Sequence, residues 1–240
     1  MTSLEKPSQF PITRWTMVVQ LRSDSDAHRH RAFEELCQIY WKPLYTYARR
    51  RGCTAHDAED LTQSFLAHLL GQGDLGELAP DRGRLRGFLK ASFQHFILDA
   101  HRRDTRQKRG GPFLEKLDME SAERQSQRLA DHNATPEEAF DQHWGRIVLR
   151  RALQALRERF QRRGRTDTLK ELEIYLGADP DAPAYSEVAA RLRQSENTVA
   201  AAVNRMRREF RDLLRQEIAD TLVTGEDVDE ELRYLLRVTH

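Results

Sequence analysis

Between Ala32 and Ala48 the residues Phe33, Leu36, Cys37, Tyr40, Leu44 and Tyr47 recur mainly at steps of three and four. That step lines apolar side chains along one stripe of an α-helix, whereas a half-buried strand would need strict alternation. The same period returns over 54–70, with a ridge of Ala58, Leu61, Phe65 and Leu69. It returns again over 84–103, with Leu85, Phe88, Leu89, Phe93, Phe96 and Ile97 facing inward. No alternating run exceeds a few residues. With only 12 Gly and 8 Pro in 240 residues, the chain also lacks the turn punctuation of a many-stranded sheet. The expected fold class is all-α. Pro43 removes one backbone donor inside the first of these stripes, which predicts a kink or a restart there. An earlier helix is expected to follow Thr13 and to carry Trp15, Val18, Val19 and Arg22.

Composition shifts divide the chain. Residues 71–83 (GQGDLGELAPDRG) are crowded with glycine and read as a loop, and 109–133 lack a sustained apolar stripe and read as a linker. A second core then begins with a clear start signal. Thr135 can cap, Pro136 takes the first helical position, and Glu138 completes a capping box. The stripe Phe140, Trp144, Ile147, Val148, Leu153 and Leu156 follows it, then a short helix over 167–176 and a proline-containing loop over 177–184. The expected organisation is two small helical domains, 10–108 and 134–215, with a C-terminal extension over 216–240. That extension places Glu226, Asp227, Asp229, Glu230 and Glu231 before Leu232, Tyr234, Leu235 and Leu236. It reads as a short helix that either packs on one domain or shields a basic recognition face.

The segment Tyr185–Arg208, YSEVAARLRQSENTVAAAVNRMRR, has the pattern of a helix-turn-helix. Val188, Ala189 and Leu192 fit the inner face of a first helix, and Val199, Val203 and Met206 that of a second. Ala189 is small enough to let the two cross closely, and Ser195 is a good N-cap. A recognition helix offers its N-terminal turns to base edges in the major groove. Here those positions hold Ser195, Glu196, Asn197, Thr198 and Ala201, with Asn204 and Arg205 one turn on. Arg205, Arg207, Arg208 and Arg211 are placed to meet phosphates, which predicts affinity that falls steeply with salt. Arg193 stands where the turn usually has Gly, and a left-handed conformation there costs about 1 kcal/mol.

With these residues in view, EVAARLRQSENTVAAAVNRMRREFRDLL resembles the second DNA-binding region of the extracytoplasmic-function (ECF) sigma factors. FEELCQIYWKPLYTYARRRG, DAEDLTQSFLAHLL and FLKASFQHFILDAHRRDTR resemble, in order, the helices of that family's first domain. The likeness spans roughly 10–215. It implies a sigma region 2-like first domain that docks on the β′ clamp helices of core RNA polymerase and melts the −10 element of promoter DNA. It implies a region 4-like second domain that docks on the β flap and reads the −35 element. By position, Asp57, Glu59, Asp60 and Gln63 fall in the polymerase-binding helix, although for Glu59 alone a solvated helix face is the plainer reading. The loop 71–83 takes the place of the −10 specificity loop. Arg82, Arg84, Arg86 and Lys90 are assigned to the unpaired strand, and Arg102, Arg103 and Arg106 to duplex phosphates. Ser64 stands where the family often has an acidic residue, and Ala200 and Ala202 replace polar or basic ones. The DLTQ form of the clamp helix resembles a subgroup controlled by Ser/Thr kinases. Thr62 is accordingly either a phospho-acceptor that supplies negative charge to the clamp contact or an ordinary polar helix residue. An anti-sigma factor is the other regulatory partner that the family implies.

Several classes of function are set aside. The 39 basic and 38 acidic residues nearly cancel, so a DNA-binding face must come from segregation along the chain. Cys37 and Cys53 form neither a metal spacing nor a disulfide framework, and the residues call for no cofactor and no metal. No catalytic motif or phosphate loop is present, so no enzyme is expected. The absence of a signal peptide and of any apolar run near 18 residues predicts a cytoplasmic protein with no membrane partner. The alternative to a sigma factor is a stand-alone helix-turn-helix transcriptional regulator, followed by a kinase-responsive adaptor that lost promoter function.

Overall fold

The computed structural model describes residues 25–71, 84–104, 134–177, 179–222 and 227–239. Outside them lie the helix expected after Thr13, the loop beyond Gly71 and the linker 109–133. The regular structure among the described residues is entirely helical, with no strand among them: α1 (Asp26–Arg50), α2 (Ala55–Gly71), α3 (Leu85–Asp104), α4 (Pro136–Arg162), α5 (Thr166–Leu172), a 3-10 turn (Glu173–Leu176), α6 (Tyr185–Leu192), α7 (Glu196–Ala219) and α8 (Val228–Thr239). The fold is all-α. No helix of the described residues is long and apolar enough to cross a membrane.

The chain forms two compact units, residues 1–146 with 219–240, and residues 147–218. The boundary falls inside α4 rather than at its start. The first unit takes Phe140 and Trp144 into its own core, and the 216–240 segment belongs almost wholly to it rather than trailing as a separate tail.

In the first unit α1, α2 and α3 pack on one another. The stripe along α1 widens towards its C-terminal half, where every residue from Pro43 to Ala48 is buried. Pro43 sits within a continuous helix, without a restart. Phe65 of α2 meets Phe93 and Phe96 of α3 at ring-centroid distances of 4.9 and 5.6 Å, and Tyr47 of α1 meets Phe93 at 6.0 Å. The inward face of α2 differs from the expected ridge. Ala58, Thr62, Phe65 and Leu66 are buried, and Leu61 and Leu69 are only half-buried.

In the second unit Ile147, Val148, Ala152, Leu156 and Phe160 of α4 form a core with Leu169, Leu172, Val188, Val199, Val203, Met206, Leu213, Leu214 and Ile218. Leu153, expected inward, is half-buried. The predicted capping box at the start of α4 forms reciprocally: Thr135 N–H donates to Glu138 Oε2 at 2.8 Å, and Glu138 N–H to Thr135 Oγ1 at 3.2 Å.

Three helices end in one backbone motif, in which two N–H groups fold back on the last turn and the closing residue turns left-handed. At the end of α1 Gly52 (φ +91) donates to Arg49 O and Cys53 to Ala48 O. Gly164 (φ +65) closes α4 in the same way. At the end of α6 the bonds run from Arg193 to Ala190 and from Gln194 to Ala189, and the closing residue is Arg193 at φ 52. A Cβ in that conformation costs roughly 1–2 kcal/mol. Arg193→Gly is therefore expected to raise the stability of the second unit by about 1 kcal/mol, less the entropy that glycine restores to the unfolded chain. Urea unfolding checks it. An unchanged or lowered midpoint would mean that the arginine side chain compensates its backbone.

Candidate nucleic-acid interface

The second unit carries the helix-turn-helix as its sequence suggests. Val188 and Ala189 of α6 and Val199, Val203 and Met206 of α7 are buried, and Leu192 is half-buried. Ser195 caps α7: Thr198 N–H donates to its Oγ at 3.2 Å. Removing that acceptor by Ser195→Ala is expected to cost about 1 kcal/mol. Thermal unfolding reads the change, and a loss below about 0.3 kcal/mol would show that water replaces the cap.

Ser195, Glu196, Asn197, Thr198, Ala201, Asn204, Arg205 and Arg208 are all exposed, so the −35 set stands together on the N-terminal half of α7. Arg193 and Arg211 are exposed as well. Neither Arg205, Arg208 nor Arg211 has an ion-pair partner among the described residues. Other arginines of the unit are engaged: Arg163 with Glu209, Arg191 with Glu171 and Arg157 with Glu173. Arg207, expected to meet phosphate, is also committed, since its Nε donates to the Tyr175 carbonyl at 2.8 Å. What remains is a helix-turn-helix with unpaired guanidinium groups along its outer helix. That arrangement suits a polyanion.

The first unit places the −10 set quite differently. Arg82 and Arg106 lie outside the described residues, as does the side chain of Arg103, and Arg102 is exposed. Arg84, Arg86 and Lys90 on the first turns of α3 are held internally. Arg84 meets Glu231 at 2.8 Å and Glu230 at 3.7 Å. Arg86 is 6% exposed. Its Nε and Nη2 reach the two oxygens of Glu231 at 2.6 and 3.1 Å, and its Nη1 reaches Asp141 at 2.8 Å. Lys90 grips both oxygens of Asp141 at 2.9 and 2.8 Å. The Tyr234 hydroxyl donates to Asp141 at 2.5 Å. The Arg86 guanidinium lies 4.5 Å from the centre of the Tyr234 ring and 5.2 Å from that of Trp144. The assignment of Arg86 and Lys90 to an unpaired strand is therefore corrected for this conformation: their donors are spent on carboxylates of α4 and α8. Burial alone would lower the Arg86 pKa, but Glu231 and Asp141 raise it above its usual value. The cation is locked on.

The partners of that network lie far away in sequence. Glu231 is 145 positions and Asp141 is 55 positions from Arg86. Gly145 contributes by having no side chain, since a Cβ there would lie 2.6 Å from Thr239 Cγ2. The backbone also takes part: Leu85 N–H, at the start of α3, donates to Thr221 O at 3.4 Å. Burial, and then the bond to Asp141, push the Tyr234 phenol up to about 12 from 10.0. The folded state thus keeps the proton longer than the unfolded chain. The stability this contributes is whole below pH 10.0 and is lost as pH climbs towards about 12. Tyr234→Phe is expected to flatten the decline of the urea midpoint over that interval, and an unaltered slope would assign the decline to other groups.

On α2, Asp57 and Asp60 are exposed on one face, and Glu59 and Gln63 are half-buried. Thr54 Oγ1 accepts from Asp57 N–H at 3.1 Å and caps the helix. Asp60 lies 3.6 Å from His56, and Gln63 donates to Glu59 at 3.0 Å. The acidic face is therefore carried by Asp57 and Asp60, with Glu59 and Gln63 satisfying one another. Thr62 lies on the opposite side, fully buried, and its hydroxyl donates to Ala58 O at 2.7 Å. Its assignment as a phospho-acceptor is corrected for this conformation, because no kinase reaches a side chain in the core. No family model matches the chain, and comparison with curated proteins and with solved structures finds no match.

Proposed function

We propose that the chain is a sigma-type initiation factor, which binds core RNA polymerase through the first unit and directs it to promoters read by the second. The observation that carries this reading is the exposed N-terminal half of α7, where Asn197, Thr198, Ala201, Asn204 and Arg205 line up beside Arg208 and Arg211, which have no ion-pair partner among the described residues. Side chains of those types at those positions suit base edges and flanking phosphates in a major groove. Support from the first unit is the exposed pair Asp57 and Asp60 on a helix capped by Thr54, whose charge suits a basic clamp surface. The working place of such a factor is the cytoplasm, and its partners are core polymerase (β′ clamp helices and β flap), promoter DNA and, for regulation, an anti-sigma factor.

The test adds the purified chain to core polymerase and sequences transcripts from a randomised promoter library. Enrichment of one pair of elements at fixed spacing is the expected result. A chain that binds duplex DNA but never directs core enzyme would be a stand-alone regulator instead, the second reading that the exposed α7 supports. Within the proposed function, Arg205→Ala and Arg208→Ala are each expected to lower duplex affinity. For every phosphate that such a variant no longer neutralises, the slope of log affinity against log salt should become shallower by about 0.9. An unchanged slope in both variants would remove α7 from the interface.

A further inference from the structure

Arg84, Arg86 and Lys90 form a cationic site on one end of α3, and every carboxylate that fills it comes from α4 or α8. Glu231 meets Arg86 through two parallel bonds at 2.6 and 3.1 Å and also accepts Arg84 at 2.8 Å. This is the forked geometry with which arginine takes a phosphate. Asp141 receives Arg86 and both bonds from Lys90. Two buried carboxylates thus neutralise the site, Glu231 from α8 and Asp141 from α4.

The element that delivers Glu231 is short. Helix α8 buries Glu231, Leu232 and Leu235, and leaves Arg233, Leu236 and Arg237 exposed. Its close seat depends on Gly145. Buried ion pairs rarely add stability over apolar side chains of the same shape. They have one property that an apolar contact lacks: both halves remain soluble when parted, and either can take a different ionic partner.

We propose that α8 is a releasable strap, with Glu231 occupying in place of phosphate a site on α3 for the phosphodiester backbone of an unpaired strand. The inference rests on the proposed function, which supplies the strand. Strand binding at Arg84 and Arg86 then requires α8 to leave, while Lys90 stays with Asp141 of α4, so the chain closed on itself is weak for single strands.

The test is a reversible lock in the full chain. A Cβ at position 145 lies 2.6 Å from Thr239 Cγ2, which puts Gly145→Cys and Thr239→Cys within reach of a disulfide, whose β-carbons lie about 3.5–4.5 Å apart. Cys53→Ser removes the half-buried competing thiol. The probe is a fluorescent single-stranded oligonucleotide titrated at several salt concentrations, with helicity compared in both redox states. Reduction is expected to tighten binding about tenfold and to steepen the salt slope by about 1.4, from the two cations that α8 releases at about 0.7 each. Equal affinity and slope in the two states, including no binding in either, overturn the strap. Glu231→Gln reads the same equilibrium from the other side: affinity rises several-fold, and no rise overturns the proposal even where the cysteine pair does not close. Failure of the wild-type chain to direct core polymerase would instead overturn the initiation-factor reading. Promoter-directed transcription with strand binding indifferent to the lock would sink the strap alone.

Discussion

Glu231→Ala is expected to cost the first unit about 3–5 kcal/mol, because it strands a guanidinium that has no route to water. Arg86 is 6% exposed and Glu231 fully buried, so solvent cannot replace the carboxylate without movement of α8. Asp141 still accepts from Arg86, which keeps the loss below that of an isolated buried charge. If undocking α8 costs less than the stranded charge, the helix lifts and the loss stops at the undocking energy. The companion variant separates the charge from the packing. Arg86→Met with Glu231→Leu removes both ions together and should come within about 1–2 kcal/mol of wild type, since replacing a buried pair by apolar side chains is often neutral. Urea unfolding followed by tryptophan fluorescence is the measurement; Trp144 lies 5.2 Å from the Arg86 guanidinium and will report the site directly. A loss under about 1 kcal/mol for Glu231→Ala would mean that the network is wet and that α8 is already mobile.

Much of this architecture is legible in the chain because the signals are local. Helical period, the Thr135–Glu138 capping box, the Ser195 cap and the separate spacings of Val188 with Ala189 and of Val199, Val203 and Met206 each involve residues within one or two turns of one another. The left-handed turn at Arg193 is legible for the same reason, from its place between two stripes. What escapes is everything that depends on which surfaces meet. Arg84, Arg86 and Lys90 have the composition of an anion site, and nothing near them in sequence says that Glu231 and Asp141 already fill it. The boundary inside α4 escapes because the apolar period runs unbroken from Phe140 to Leu156. A continuous stripe carries no mark where one core ends and the next begins. Thr62 misleads for a chemical reason. Its hydroxyl is polar enough to suggest solvent, yet bonding to the carbonyl four residues back satisfies it and leaves a methyl group to pack.

That internal bond is what makes Thr62→Asp the other large effect, expected to destabilise the first unit by about 3 kcal/mol or more at neutral pH. The residue has no exposed surface, and the Ala58 carbonyl it bonds is an acceptor that offers a carboxylate nothing. An ion placed there without a partner loses its hydration and shifts its pKa upward rather than stay charged. The sign of the pH dependence follows. With a folded pKa above the unfolded value of about 3.9, the destabilisation grows as pH rises from about 4 and is smallest in acid, where the carboxyl is neutral in both states. Thr62→Val keeps the shape and removes one satisfied hydroxyl, so it should cost no more than about 1.5 kcal/mol. Comparing urea midpoints of both variants near pH 7 and pH 4.5 decides the matter. A phosphoryl group, with about −1.5 to −2 charges, meets the same obstacle in larger measure. Phosphorylation of Thr62 therefore requires α2 to turn about its axis or lift from Phe93 and Phe96 before the kinase acts. If Thr62→Asp instead leaves stability untouched and tightens binding to core polymerase, α2 has a second register in solution with Thr62 outward.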